Sequence, residues 1–119
     1  MAIIPATTHE LGSQGSRVFV TTWANIGLDD TCETVRHTSV REICFQVTGT
    51  FGGATVTFTG SNDNSVFETL KDPAYIAISL TVAGLRQVLE IPLYVKPLVS
   101  AADSSTDLTV TIVERGGFF

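Results

Sequence analysis

The stretch Ala54-Thr55-Val56-Thr57-Phe58-Thr59-Gly60-Ser61-Asn62-Asp63-Asn64-Ser65-Val66-Phe67-Glu68-Thr69-Leu70 decides the fold class. Ala54, Val56 and Phe58 alternate with Thr55, Thr57 and Thr59, the period-two pattern of a strand with one apolar and one polar face. Gly60 to Asn64 interrupts it with residues that tolerate positive φ or bond back to nearby backbone. Val66, Phe67 and Leu70 then resume the apolar signal, so the segment reads as strand, tight loop, strand. The same alternation recurs on both sides of this hairpin.

Upstream, Phe19, Thr21 and Trp23 alternate with Val18, Val20 and Thr22, and Ile43, Phe45 and Val47 with Cys44, Gln46 and Thr48. Gly49-Thr50-Phe51-Gly52-Gly53 separates the second of these strands from the hairpin, predicting an adjacent antiparallel neighbour. Between them Asn25 to Asp30 is a turn, and Thr31 to Ser39 reads as irregular or a weak edge strand. Downstream, Ile76, Ile78 and Leu80 form a strand, and Leu85, Gln87, Leu89 and Ile91 continue on alternate positions after Gly84. Leu93, Val95 and Val99 make another, broken by Pro97, and Leu108, Val110 and Ile112 the last. No segment carries helical periodicity. The expectation is an all-β chain, a single antiparallel β-sandwich of jelly-roll-like arrangement over residues 17–115.

The flanks differ from this body. Residues 1–16 read as an extended N-terminal arm: Ile3, Ile4 and Pro5 form an apolar tip, and Gly12-Ser13-Gln14-Gly15-Ser16 has linker composition. Residues 116–119 form a short C-terminal tail, Gly-Gly-Phe-Phe. Exposed apolar ends are costly in water, so Ile3, Ile4, Pro5, Phe118 and Phe119 are the candidate partner-binding residues. Ordering an arm costs about 1–2 kcal/mol per residue, which many copies acting together can offset.

With 119 residues the chain fits one domain, and the net charge of −5 without Lys or Arg clusters argues against nucleic acid. No apolar run is long enough for a membrane span or a signal peptide, so a soluble product of the cytoplasm is expected. Only 16% of residues are charged, which suggests a surface partly covered by a partner.

Candidate chemistry is sparse. No Gly-x-Ser-x-Gly elbow is present; His9 falls in the arm and His37 in the irregular stretch. Glu68, Asp72, Glu90 and Glu114 read as solvated surface charge, and Asn62-Asp63-Asn64 as turn residues rather than calcium ligands. Cys32 and Cys44 lack a Cys-x-x-Cys spacing and are expected as thiols. Trp23, Tyr75 and Tyr94 could build an aromatic platform for sugars. No catalytic residue, cofactor, metal or small-molecule substrate is expected.

The run Gln46 to Asp63, with Phe67 and Leu70 following, resembles small virion proteins of tailed bacteriophages, in which a threonine-rich strand enters a Gly-Ser-Asn-Asp turn. Gly84-Leu85-Arg86-Gln87-Val88, Ile91-Pro92-Leu93-Tyr94-Val95-Lys96-Pro97 and Thr106-Asp107-Leu108-Thr109-Val110-Thr111-Ile112 are similar to the same proteins. The chain departs from them at Asn64, often Gly there, and at Phe67, commonly Trp. The resemblance covers roughly Gln46 to Arg115 and implies a head decoration, or cement, protein. Such a protein is non-enzymatic, sits on the capsid exterior as a homodimer or homotrimer, and bridges subunits of the major capsid protein. The alternatives are a carbohydrate-binding protein and a tail or head–tail connector component.

Overall fold

The computed structural model describes residues 2–12, 15–37 and 40–116. Within them the chain is all-β, without a helix, and consists of β1 (Ile3–Ile4), β2 (Thr7–Glu10), β3 (Val18–Ile26), β4 (Thr31–Cys32), β5 (Val35–Arg36), β6 (Val40–Thr50), β7 (Thr55–Ser61), β8 (Glu68–Thr69), β9 (Ser79–Leu80), β10 (Gly84–Val88), β11 (Tyr94–Ser100) and β12 (Asp107–Gly116). Two antiparallel sheets carry most of it. The first runs β10-β6-β12-β3-β2; the second runs β5-β11-β7-β8, with β9 also on β7. A short parallel pair, β1 with β4, stands apart.

Side-chain alternation gives each long strand its inward face. Ile43, Phe45 and Val47 of β6, Leu108, Val110 and Ile112 of β12, Val56 and Phe58 of β7, and Val95 of β11 are all buried in one apolar cluster. Phe45 and Phe58 stack with ring centroids 4.7 Å apart, so the two sheets meet through their aromatic side chains. Each such ring buries a large apolar area and is worth several kcal/mol against alanine, on the order of 3–5.

The central hairpin forms as its sequence implies. β7 pairs with β8 through Thr59–Thr69 and Gly60–Glu68. Its loop is closed by Asp63, whose carboxylate accepts the amides of Ser65 and Val66 and the Ser61 hydroxyl. The Val66 amide, then the Ser61 hydroxyl and the Ser65 amide, hold that carboxyl down at about 2. The link from β6 to β7 is different from expectation. The two strands are not neighbours: β6 lies between β10 and β12, and β7 between β11 and the β8–β9 flank. Gly52 and Gly53 at positive φ carry the chain across from one sheet to the other rather than back along the first.

Other differences are local. The expected strand at 76–81 is reduced to Ser79–Leu80 on β7 and one bridge from Lys71 to Ala77. The irregular stretch contains β4 and β5, two residues each. Pro97 does not break its strand: it lies inside β11 opposite Phe58, and β5 flanks β11 only at Tyr94 and Val95, so no bond on that side needs a proline donor. Residues 3–10, expected as an arm leaving the body, pair within the chain: β1 runs beside β4, and β2 extends the first sheet on β3. An edge strand needs only backbone partners, so the polar sequence Thr-Thr-His-Glu serves there.

Cys32 is buried and Cys44 partly exposed, and both are free thiols. Burial, reinforced by the nearby Asp30 carboxylate and only partly opposed by Lys96, pushes the Cys32 thiol up to about 12. Cys32 is therefore expected to resist iodoacetamide at pH 8 in the folded protein and to react once the chain is unfolded in denaturant. Mass spectrometry of the labelled peptides reads this directly. Labelling of native Cys32 as fast as in denaturant would contradict its burial.

Candidate functional site

The N-terminal segment is held to the body by backbone bonds. The Thr31 amide donates to the Ala2 carbonyl at 2.9 Å and the Glu33 amide to the Ile4 carbonyl at 2.9 Å. The Ala6 amide donates to the Glu33 carboxylate at 2.8 Å, and the Ala2 amide to Asp30 at 3.1 Å. Side chains then divide: Ile4 packs against the core cluster, whereas Ile3 is 73% exposed and Pro5 is also exposed. Ile3 and Pro5 thus remain available to a partner while Ile4 serves as an anchor. The other two candidates, Phe118 and Phe119, lie outside the described residues.

Trp23 does not join a surface platform. It is fully buried, and its indole Nε1–H donates to the Glu33 carbonyl at 2.9 Å. Tyr75 is the exposed aromatic, at 74%, and Tyr94 is half-buried in β11.

The most concentrated polar chemistry is a group that the sequence reading left on the surface. Glu114 follows Leu108, Val110 and Ile112 at the next inward position of β12, and it is only 3% exposed. Its Oε2 meets Nδ1 of His37, and its Oε1 accepts from the Thr21 hydroxyl at 3.4 Å. The Thr21 hydroxyl is in turn 2.8 Å from that of Thr8 on β2. On the far side of the imidazole, Nε2 lies 2.7 Å from the Pro92 carbonyl. A carbonyl only accepts, so Nε2 is the donor to Pro92, while Nδ1 faces the Glu114 carboxyl. His37 therefore has both ring nitrogens engaged and bridges β12 of the first sheet to the segment entering β11 of the second. It is a structural tie, with no ring nitrogen left to act as a base.

Beside this pair is a recess of about 450 Å³, lined by Arg17, Phe19, Val35, Arg36 and Val40 among others. Among the described residues its hydroxyl is that of Thr8, which lies 2.8 Å from the Thr21 hydroxyl and reaches Glu114 only through it. Among the described residues, no three His, Cys, Asp or Glu side chains are gathered as a metal site.

The remaining feature is an apolar surface strip. Tyr75, Ile76, Val82, Leu85 and Leu89 are all exposed large apolar side chains. Leu85 lies in β10, an edge strand, Val82 and Leu89 stand on either side of it, and Tyr75 and Ile76 are in the loop joined to its end: the Leu89 amide donates to the Lys71 carbonyl at 2.7 Å, and Lys71 pairs with Ala77. Comparison with protein-family models, with curated proteins and with solved structures finds no match to this chain.

Proposed function

We propose that this chain is a non-enzymatic structural protein of a tailed-bacteriophage virion, which binds the outside of the capsid and bridges major capsid protein subunits. The capsid enters through the sequence resemblance over Gln46 to Arg115. The body is read as a two-layered sandwich of jelly-roll type, a reading supported by the stacking of Phe45 on Phe58 between the sheets. The observation that carries a bridging role is the N-terminal segment, which is tethered through its backbone and Ile4 yet leaves Ile3 and Pro5 in solvent. A rigidly held apolar residue loses little entropy on docking, and repetition over a symmetric shell multiplies a weak contact.

The test is co-sedimentation of the purified protein with capsids of its source phage that lack it, with stoichiometry from gel densitometry. Saturable binding at a high, symmetry-allowed copy number is expected; a handful of copies per particle would favour a tail or connector part. Ile3→Asp is expected to weaken capsid binding at least tenfold with little change in melting temperature, because the side chain it replaces is exposed. Undiminished binding by Ile3→Asp would remove the segment from the mechanism.

A further inference from the structure

We infer that the recess beside His37 is a binding site for an aliphatic carboxylate. Strands β2, β3, β6 and β12 of the first sheet and β5 of the second contribute to its wall, and its volume of about 450 Å³ is that of a small-molecule site. The wall is apolar because the core is incompletely covered there. Phe19, Thr21 and Trp23 share the inward face of β3, yet Thr21 and Trp23 are fully buried and Phe19 only half-buried. Val35 and Val40 pack against the core cluster and also line the recess. Apolar surface left open in a concavity favours an apolar ligand that removes it from water. A second recess, of about 400 Å³, shares His37 and Val40 with the first and adds Ile91, Pro92 and Leu93. Its remaining described member, Asn62, accepts the Leu93 amide at 3.2 Å. The apolar path therefore continues past Val40, which suits an extended aliphatic chain.

Charge selects the head group. The chain has 12 acidic residues against 7 Lys and Arg, yet Arg17 and Arg36 both line the first recess. Among the described residues of that lining, the one carboxyl is that of Glu114, which is 3% exposed, faces His37 and accepts from Thr21. Glu10, close to Arg17 in the chain, accepts the amides of Gly15 and Arg17 through its carboxylate. A concave site with cationic walls concentrates anions, the more so in a protein whose net charge is −5. The two oxygens of a carboxylate match the paired N–H groups of a guanidinium. A phosphate has a third oxygen to satisfy, and the described wall has no donor to spare for it. The Thr8 hydroxyl is 2.8 Å from that of Thr21, and both ring nitrogens of His37 are engaged.

Titration of the ¹⁵N-labelled full chain with octanoate, followed by amide chemical shifts, tests this. Octan-1-ol, which lacks the charge, and butanoate, which lacks the chain, are the controls. Octanoate is expected to move the amides of Phe19, Arg36, His37 and Val40 saturably, with a dissociation constant of about 1 mM or below. Both controls should bind roughly tenfold more weakly or worse. Arg36→Gln replaces an exposed side chain, so its spectrum should keep the dispersion of the parent while octanoate binding falls by roughly tenfold. No saturable shift with octanoate, shifts confined to residues away from the recess, equal binding of octan-1-ol, or undiminished binding by Arg36→Gln would each overturn the assignment. Octyl phosphate binding much more tightly than octanoate would overturn it in favour of a phosphate site.

Discussion

Replacing His37 with alanine is expected to destabilise the protein by about 3–5 kcal/mol, as a buried pair loses one of its two members. Glu114 is enclosed at an inward position of β12, and its remaining described bond is the long one from Thr21. The same substitution frees the Pro92 carbonyl from the imidazole, so one change undoes contacts on both sheets. Domains of this kind have total stabilities of about 5–15 kcal/mol, so the loss is a large share. Urea unfolding followed by Trp23 fluorescence measures it, because that indole is buried in the folded core. The diagnostic partner is the double variant His37→Leu with Glu114→Met. Removing the pair and leaving apolar side chains of similar bulk should recover most of the stability. A cost below about 1 kcal/mol for His37→Ala would instead be the behaviour of a solvated surface pair.

The second large effect is at Gly49. Its φ is +115°, and a Cβ built there runs into the Asp107 carbonyl and stands 3.1 Å from the Leu108 Cα, both backbone atoms of β12. Side chains can turn aside, but a paired neighbouring strand cannot. Gly49→Ala therefore adds backbone strain of about 1–3 kcal/mol to overpacking of about 1–3 kcal/mol. Gly53→Ala separates the two contributions: its φ is +87°, but the nearest atom to a Cβ is 3.9 Å away. It should lose only the strain. Thermal melts of both variants should rank Gly49→Ala well below Gly53→Ala; equal losses would show that the close approach of β6 and β12 has room to relax.

Much of the sheet framework is legible in the sequence because burial imposes a period of two. The inward faces 43/45/47, 56/58 and 108/110/112 follow from alternation alone. Glu114 obeys the same parity, and an apolar strand followed by a carboxylate at its next inward position is the signal that would have found it. Reading acidic residues as solvated concealed it. Its partner is less accessible to sequence reasoning: β4 and β5 are two residues long and pair with β1 and β11, so no local periodicity marks the segment that delivers His37. The glycines after β6 indicated a turn but not its destination, since turn chemistry is alike whether the chain doubles back or crosses to another sheet. The strip at 75–89 was hidden for another reason. Ile76, Leu85 and Leu89 lie in the period expected of strands, and only the structure places Tyr75, Ile76 and Leu89 outside them.

The position of β12 has a consequence for biosynthesis. It sits between β6 and β3, and both of those strands leave the ribosome well before it. At roughly 5–20 residues per second, several seconds separate the completion of β6 from that of β12. During that interval β3 and β6 expose apolar faces and unpaired edges with no central strand to join them. Refolding from denaturant should be slow for so small a protein, because its main pairings close long loops.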